Sequence, residues 1–290
     1  MGWRAQIPKN GGMKNTRTFF ITGVSSGFGR AIANAALMAG HTVVGTMRNA
    51  EAAADFERRF GGRAHAKLLD VTELDKVEPL ADEVEAQFGP VDVVINNAGY
   101  GHEGIFEESP IEELRRQFEV NVFGAVAVMK AFVPFMRRRR RGHIVNITSM
   151  GGTITMPGIA YYCGSKFALE GISETLAKEM KNFGVAVTAV APGSVRPDWA
   201  GRSMVRSERS IPDYDALFDP IRQARLDKSG KQLGDPDKAA QVILTLVGMA
   251  QPPARLLIGS DALGLVRAKH EETLASLERH EALTRSTDIT

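Results

Sequence analysis

The feature that most constrains the fold of this chain is a regular alternation of short apolar segments with longer segments of helical periodicity. Residues 91–95 and 185–190 are near-continuous apolar runs, as expected of strands that are covered on both faces of a sheet. Such an alternation favours a parallel sheet whose strands are joined by right-handed helical crossovers. We therefore predict an α/β fold: a single Rossmann-like domain with a doubly wound parallel sheet and helices on both faces.

The periodicity also predicts where the elements and domains begin and end. Strands are predicted at residues 18–22, 41–47, 64–70, 91–96, 143–148, 184–190 and 255–259. Helices are predicted at residues 29–39, 50–60, 73–88, 110–136, 158–182, 236–249 and 264–284. We expect residues 1–13 to be a flexible N-terminal extension, residues 14–262 to be the Rossmann-like domain and residues 263–290 to be a C-terminal helical tail.

A glycine-rich turn lies between the first predicted strand and the first predicted helix. It reads Gly23-Val24-Ser25-Ser26-Gly27-Phe28-Gly29. Glycines let the backbone bend tightly and approach a pyrophosphate, and the amides and positive dipole end of the new helix face that charge. Because the spacing differs from G-x-G-x-x-G, the strand-turn-helix context carries the prediction. We expect a dinucleotide site here, and a plain surface turn is the alternative.

Tyr162 and Lys166 stand four residues apart in a predicted helix, and Ser149 lies thirteen residues before the tyrosine. A spacing of four places the phenol and the ammonium on one helix face, one turn apart. The cation can then lower the pKa of the tyrosine from its reference value of about 10. A tyrosine tuned in this way can exchange a proton near neutral pH. A chance pairing of two common residues is the alternative.

Several further motifs follow one another along the chain. In order, they are Thr22-Gly23-x-x-x-Gly27-x-Gly29, Asp70, Asn96-Asn97-Ala98-Gly99, Asn121, Ser149, Tyr162-x-x-x-Lys166 and Pro192-Gly193. In this combination, over residues 16 to 260, the chain resembles the short-chain dehydrogenase/reductase family in its single-domain branch. Residues 255–262 resemble the last strand of the steroid and retinol dehydrogenase-like members, and carbonyl reductase-like members also fit.

The resemblance implies hydride transfer between a nicotinamide and a carbonyl carbon or its alcohol. It implies that Tyr162 exchanges the proton and Ser149 holds the substrate oxygen. Lys166 would bond the nicotinamide ribose, and Asn121 would support a water in a proton relay. Ordinary turn and helix hydrogen bonding is the alternative for Ser149 and Asn121. The implied cofactor-binding residues are Gly23, Ser25, Ser26, Gly27, Phe28, Gly29, Arg48, Asp70, Val71, Asn97, Ala98, Gly99, Tyr162, Lys166, Pro192, Gly193 and Val195.

Most of these residues directly follow predicted strands, and ligands of parallel sheets bind at the carboxyl ends of strands. We therefore expect them to share one cleft. In the family pattern, Asp70 accepts a hydrogen bond from the adenine amino group. An aspartate at this position is also a good helix cap, and the two roles are compatible.

The end of the second strand bears on the choice of cofactor. NAD enzymes usually carry an acidic residue there to bond the ribose hydroxyls, whereas this chain has Arg48. A guanidinium can clamp a 2′-phosphate that a carboxylate would repel. We therefore predict NADP(H) in preference to NAD(H). The alternative is that Arg48 is a solvated surface cation and that specificity is set elsewhere.

Residues 194–232 are expected to form a lid over the substrate. They combine apolar side chains with arginines, namely Trp199, Met204, Tyr214, Leu217 and Phe218 with Arg196, Arg202, Arg206 and Arg209. An apolar ketone, aldehyde or sterol-like alcohol is the leading substrate class, and an anionic carbonyl compound steered by the arginines is the second. Pro197 stands where the family often has a threonine that contacts the nicotinamide, so the anchoring at this point differs.

Composition narrows the class of protein. The chain has 290 residues, of which 43% are hydrophobic and 24% charged, with a net charge of +2. These values predict a soluble globular protein with neither nucleic acid nor membrane as its main partner. Cys163 is the single cysteine, which favours a reducing cytoplasm. No metal-binding spacing occurs among the histidines. By resemblance, a homodimer or homotetramer is expected.

Residues 137–141 are five consecutive arginines, which could indicate nucleic-acid binding. They fall at the end of a predicted helix, where cations complement the helix dipole, so we interpret them as a solvated helix end. A catalytically inactive NADPH-binding sensor or scaffold protein is the other alternative to an enzyme. The intact set of Ser149, Tyr162 and Lys166 argues against that alternative.

Overall fold

A computed structural model describes residues 16–195 and 203–289. In these residues, strands and helices alternate along the chain. The strands are β1 (Thr18–Thr22), β2 (Thr42–Met47), β3 (Ala64–Leu68), β4 (Val93–Asn96), β5 (Gly101–Glu103), β6 (Gly142–Ile147), β7 (Val185–Pro192), β8 (Met204–Arg206) and β9 (Arg255–Ile258). The α-helices are α1 (Gly27–Met38), α2 (Ala50–Phe60), α3 (Leu74–Phe88), α4 (Ile111–Phe118), α5 (Ala125–Arg139), α6 (Ala160–Met180), α7 (Asp215–Asp227), α8 (Pro236–Val247) and α9 (Ser260–Arg285).

Seven strands form one sheet in the order β3-β2-β1-β4-β6-β7-β9, and every pairing in it is parallel. The predicted doubly wound fold is therefore confirmed. The chain starts in the middle at β1, moves outward to β3, and then returns to β4 on the other side of β1. A crevice opens at the carboxyl ends of β1 and β4, where the direction of winding reverses, and such crevices bind ligands in folds of this kind.

The sheet is covered by a separate apolar core on each face. Successive residues of β1 point to opposite faces, because side chains alternate along a strand. Phe19 and Ile21 pack with residues of α1 and α8. Phe20 packs on the other face with residues of α3, α5 and α6, and its ring centroid lies 4.7 Å from that of Phe132. Both cores hold the strand ends rigidly beneath the crevice.

The predicted helix over residues 110–136 is interrupted in the structure. A π-helical segment, Glu119–Gly124, separates α4 from α5. At the end of this segment Gly124 packs closely on the neighbouring layer, where an added Cβ would lie 2.8 Å from Val71. π-Helical turns of this kind are rare and frequently mark functional sites. The segment contains Asn121, one of the predicted site residues.

In the described part of the chain, the stretch Ile111–Arg139 is long and apolar enough to cross a membrane by length and composition alone, since an 18-residue window in it has a mean hydropathy of 1.5. In the fold it is a core element, since Val128, Phe132 and Met136 are fully or almost fully buried. Its apolar character is explained by packing against α3 and the sheet.

Two short strands and one helix were not predicted from the sequence. β5 and β8 pair in parallel as a separate two-stranded sheet, and α7 follows them. β5 is the sequence Gly101-His102-Glu103, whose polar side chains are buried. Hydropathy cannot reveal such a strand, because the partners that allow its burial lie about a hundred residues later.

Candidate active site

The predicted site residues meet in one cleft of about 820 Å³ at the carboxyl ends of the strands. Every one of them lines this cleft except Asn121. The lining members are Gly23, Ser25, Ser26, Gly27, Phe28, Gly29, Arg48, Asp70, Val71, Asn97, Ala98, Gly99, Ser149, Tyr162, Lys166, Pro192, Gly193 and Val195. The geometry therefore supports a single shared site for these residues.

The glycine turn after β1 has the shape that a phosphate group requires. Gly23 and Gly27 adopt left-handed backbone angles, with φ of +73° and +55°. A Cβ on Gly29 would collide with the Gly23 carbonyl and the Asn97 amide. Ser26 stands at the N-cap of α1 without a side-chain hydrogen bond to the helix. The first amides of α1 are thus directed into the cleft, where they suit an anion such as a pyrophosphate.

Thr22 and Asn97 tie the end of β1 to the end of β4. The Asn97 side-chain amide donates to the carbonyls of Thr22 and Gly23, each at 3.0 Å. The Thr22 hydroxyl accepts hydrogen bonds from the backbone amides of Asn97 and Ala98, each also at 3.0 Å. The Asn97 side chain therefore shapes the glycine turn, while its residue still borders the cleft. Thr22 was identified in the sequence only as part of a motif, without a role.

Arg48 and Asp70 lie side by side at the outer end of the cleft. Arg48 Nη1 is 3.7 Å from Asp70 Oδ2, and the arginine side chain is 79% exposed. Asp70 Oδ1 accepts hydrogen bonds from the amide and hydroxyl of Thr72, at 3.0 and 2.8 Å. Partial burial raises the pKa of Asp70, but the Thr72 hydrogen bonds and the charge of Arg48 outweigh it and lower that pKa overall. Asp70 thus presents an ionised carboxylate to the cleft.

Ser149 and Tyr162 approach each other across a small loop. Ser149 lies two residues after the end of β6, and its Oγ accepts a hydrogen bond from the Gly151 amide at 3.0 Å. A Cβ on Gly151 would lie 3.2 Å from Tyr162 Cε1 and 3.4 Å from Ser149 Oγ. A glycine at this position therefore leaves room for both hydroxyl-bearing side chains. Sequence reasoning missed Gly151, because nothing local marks it.

Lys166 is buried one turn after Tyr162 on α6, as the spacing predicts. Its Nζ donates to the Ile147 carbonyl at 2.9 Å and lies 5.8 Å from the centre of the Tyr162 ring. Burial lowers the pKa of Lys166 to about 8, and the negative charge of Glu170 partly opposes that effect. The ammonium is therefore held beside the tyrosine, near the edge of its protonated range.

Asn121 lies beneath the cleft on the π-helical segment and is buried. Its Nδ2 donates to the Tyr100 carbonyl and the Ser165 hydroxyl, each at 3.0 Å, and its Oδ1 accepts from the Tyr100 amide at 3.1 Å. A Cβ on Gly99 would lie 3.0 Å from this oxygen and 3.7 Å from Lys166 Nζ. Asn121 therefore joins α4–α5 to the loop after β4, next to Lys166.

The loop after β7 is fixed by the start of α9. Gly193 donates its amide to the Ile258 carbonyl at 2.7 Å, and the Ser194 amide donates to Asp261 Oδ2 at 2.8 Å. A Cβ on Gly193 would collide with the Asp261 carboxylate. Pro197, Trp199, Arg196 and Arg202 lie outside the described residues, so their expected roles stay predictions.

Buried carboxylates fasten the second half of the expected lid. Glu103 is 1% exposed and lies 3.1 Å from Arg206 and 3.2 Å from Arg225. Glu108 is equally buried and lies 2.9 Å from Arg209. Two of the arginines suggested to steer an anionic substrate are therefore neutralised inside the protein. The hypothesis that arginines steer an anionic carbonyl substrate is therefore wrong for Arg206 and Arg209.

The comparisons with known proteins agree with this geometry. The family model described as short chain dehydrogenase matches residues 17–206. Oxidoreductase BOA17 of Botryotinia fuckeliana is 38% identical over 270 residues, which is 93% of this chain and 98% of that protein. Retinol dehydrogenase 8 of Bos taurus is 32% identical over 285 residues, covering 90% of this chain and 87% of that one.

Two solved structures extend the likeness to three dimensions. The crystal structure of a short-chain dehydrogenase from Streptomyces avermitilis has a TM-score of 0.88 at 41% identity, covering 94% of this chain and all of that one. A gluconate 5-dehydrogenase from Burkholderia cenocepacia, in complex with NADP and tartrate, has a TM-score of 0.71 at 26% identity, covering 86% and 95% of the two chains. The protein belongs to the short-chain dehydrogenase family and is an oxidoreductase of that family.

Proposed function

We propose that the protein is an NADP(H)-dependent oxidoreductase that interconverts an apolar ketone or aldehyde, or a sterol-like compound, with its alcohol. The observation that carries the proposal is the meeting, in one cleft, of a dinucleotide-type glycine turn with Ser149, Tyr162 and Lys166. A scaffold protein that merely bound the cofactor would have no need for Ser149, which lies outside the expected cofactor-binding set.

The chain's own residues account for the proton side of this chemistry. A bound nicotinamide would supply or accept the hydride. In the direction of reduction, Tyr162 would donate its hydroxyl proton to the carbonyl oxygen, and the Ser149 hydroxyl would hold that oxygen by a hydrogen bond. The Lys166 ammonium, next to the Tyr162 ring, would stabilise the phenolate that remains. Asn121 holds the loop after β4 through Tyr100 and bonds the hydroxyl of Ser165, the residue before Lys166.

Arg48 supports the choice of NADP(H). It lines the cleft, its side chain is exposed, and its ion pair with Asp70 is long at 3.7 Å. Such a guanidinium is able to turn toward a phosphate group. The gluconate 5-dehydrogenase that this structure resembles was crystallised with NADP. No acidic side chain stands at the end of β2.

Apolar side chains near the reacting groups support an apolar substrate. Val120, Met150, Met156 and Val205 line the same cleft as Ser149 and Tyr162. Methionines fill irregular apolar spaces and adapt to ligands of different shape. The similarity to a retinol dehydrogenase points in the same direction.

A cofactor and substrate screen tests the proposal. NADPH and NADH consumption would be followed with long-chain ketones, aldehydes, steroids and short anionic keto acids. We expect turnover with apolar carbonyls and a preference for NADPH. Binding of NADPH without turnover of any carbonyl or alcohol would favour the inactive sensor instead. A preference for keto acids would favour the anionic class.

Arg48→Asp tests the cofactor assignment directly. We expect wild type to favour NADPH over NADH by about tenfold or more in kcat/KM, because a charged phosphate contact contributes about 1.4 kcal/mol or above. Arg48→Asp should erase or reverse that preference. Arg58→Asp is the matched control, since it makes the same charge change at an exposed position of α2. An unchanged cofactor ratio in Arg48→Asp would contradict this role.

A cytoplasmic location, assembly into a homodimer or homotetramer, and the absence of nucleic acid and membrane as partners remain part of the proposal. Sedimentation of the purified protein at several concentrations measures the subunit count.

A further inference from the structure

A buried carboxylate lies behind the active site, outside the set of residues that the proposed chemistry uses. Glu170 stands on α6 one turn after Lys166, and its side chain is 14% exposed. Burying a carboxylate is costly unless charged or hydrogen-bonding groups compensate it. The partners of Glu170 therefore indicate what it does.

One partner connects Glu170 to the loop that carries Ser149. The Thr148 hydroxyl donates to Glu170 Oε1 at 2.5 Å, and Thr148 directly precedes Ser149. On the other side of the loop, Gly152 packs so closely that an added Cβ would lie 2.8 Å from Glu170 Cγ. The glutamate thus supports both ends of the turn that presents the Ser149 hydroxyl.

A second partner anchors the carboxylate itself. Arg255, the first residue of β9, places its Nε 3.3 Å from Glu170 Oε2 and also hydrogen-bonds the Thr153 hydroxyl. The pKa of Glu170 is raised overall, because burial outweighs the Thr148 hydrogen bond and the charges of Arg255 and Lys166, which lower it. The negative charge of Glu174, which is exposed on the same helix, also raises the pKa of Glu170. These groups hold the carboxylate in place beside Lys166.

Lys166 depends on this carboxylate more than on any other charge. Its surroundings include the Tyr162 ring, the Ile147 carbonyl and Glu170. Among the described residues, Glu170 is the charged group that favours the protonated lysine. Its charge raises the pKa of Lys166, whereas burial lowers that pKa. Because the pKa of Lys166 is already lowered to about 8, a further decrease would leave much of the lysine neutral at physiological pH.

We propose that Glu170 is a positioning residue of the active site, which supports the Ser149 loop through Thr148 and supplies the negative charge that keeps Lys166 cationic. The inference rests on the proposed function, in which a cationic Lys166 serves Tyr162. Glu170→Gln keeps a hydrogen-bond acceptor for Thr148 but removes the charge, so it isolates the electrostatic part.

Titration of Lys166 by NMR tests the inference without any substrate. The full-length apoprotein would be labelled with ¹³C at lysine Cε, and the Lys166 signal assigned by its loss in Lys166→Arg. In Glu170→Gln we expect the Lys166 titration midpoint to fall by about one pH unit, as removal of an adjacent opposite charge requires. Glu174→Gln is the control, because it removes an exposed carboxylate from the same helix and should leave the midpoint unchanged.

An unchanged Lys166 midpoint in folded Glu170→Gln would overturn the inference, whatever the screen for carbonyl turnover shows. If Glu170→Gln does not fold, Glu170→Met provides the test, since it removes the same charge and fills the same space with an apolar side chain. The Lys166 midpoint should again fall, and an unchanged midpoint would likewise refute the role. With an active substrate, the alkaline limb of kcat/KM in Glu170→Gln should move to lower pH, by the same amount as the lysine midpoint.

Discussion

Two adjacent tyrosines on α6 illustrate how position decides the role of a residue. The Tyr161 hydroxyl donates to the Ser109 carbonyl at 2.8 Å, and its ring stacks on His102 with centroids 5.1 Å apart. Tyr162 borders the cleft, one turn before Lys166. Neighbouring helix residues point in directions about 100° apart, so one tyrosine is structural while the next faces the cofactor site.

Phenylalanine substitutions at these two positions should therefore have opposite effects. Tyr162→Phe removes only the proton-exchanging hydroxyl, so turnover should fall by about 10² or more while NADPH affinity changes only a few fold. Tyr161→Phe, the matched control, should retain turnover but lose about 1 kcal/mol of stability with its buried hydrogen bond. Steady-state kinetics, NADPH titration and denaturant unfolding measure the three quantities. Near wild-type turnover in Tyr162→Phe would refute the mechanism.

At the scale of elements, the arginine run at the end of α5 joins that helix to its neighbours. Arg139 Nη1 lies 2.9 Å from both Glu85 oxygens on α3, and both side chains are largely buried. Arg141 pairs with Asp92 at 3.1 Å, and Arg140 donates to the Asn182 carbonyl at 3.1 Å. The arginines therefore lie at the end of a helix, as interpreted from the sequence. They are only partly solvated, because the Arg139 side chain is largely buried. Intramolecular pairing reduces the charge that it could offer to a nucleic acid.

Single substitutions within the run should differ sharply. Arg139→Gln leaves Glu85 buried without its partner and should lower the free energy of unfolding by about 3 kcal/mol. Arg138→Gln, at an exposed neighbouring position where the guanidinium lies over the Phe135 ring, should cost less than about 1 kcal/mol. Urea unfolding of the two variants measures the difference. Equal stabilities would show that the Arg139–Glu85 pair contributes nothing net.

The short β5–β8 sheet and α7 contribute Val205 and Arg225 to the wall of the cleft. Glu103 on β5 binds Arg206 on β8 and Arg225 on α7, and Arg222 lies 3.7 Å away. Arg225 also donates to the Pro157 carbonyl at 2.6 Å. One buried carboxylate thus fastens β5 to two segments that lie about a hundred residues later in the chain. We therefore expect residues 203–227 to stay attached to the body even without ligand.

Trypsin digestion can test this attachment. Glu103→Gln leaves buried guanidinium groups without a carboxylate, which should cost about 3 to 5 kcal/mol and speed cleavage after Arg206, Arg222 and Arg225. Glu107→Gln is the control, since this exposed carboxylate accepts a hydrogen bond from the Tyr214 hydroxyl, at 2.7 Å, on the same segment. Rapid cleavage at these arginines in the wild-type apoprotein would instead support a freely opening lid.

At the scale of the whole molecule, a buried histidine makes the fold sensitive to acid. His143 on β6 is buried in the sheet, with its Nε2 3.0 Å from the Thr188 hydroxyl. Burial, and to a lesser extent the charge of Arg17, lowers its pKa from 6.5 to about 4. As the pH falls, His143 is protonated near pH 6.5 in the unfolded chain but only near pH 4 in the folded protein. Stability must fall as the pH decreases through that range.

The size of this effect follows from the shift. Wild type should lose about 3 kcal/mol more stability than His143→Gln between neutral pH and pH 4, because each pKa unit contributes about 1.4 kcal/mol. Taking the difference between the two proteins cancels the titration of their carboxylates. His280→Gln, at an exposed position of α9, should behave as wild type does. Parallel curves for wild type and His143→Gln would contradict the assignment.

The sheet, its parallel winding and nearly all of the cleft could be predicted from local patterns in the chain. Apolar runs specify buried strands, glycines specify the turn after β1, and a spacing of four brings Tyr162 and Lys166 together. Gly151, Glu103 and Glu170 could not be recognised in this way, and their contacts became apparent in the folded protein. Each acts on partners that lie on other elements: a neighbouring side chain that needs room, arginines about a hundred residues away, or a hydroxyl on another strand end. Packing and charge pairing between such distant residues leave no periodic trace in the chain, so they become visible only once it has folded.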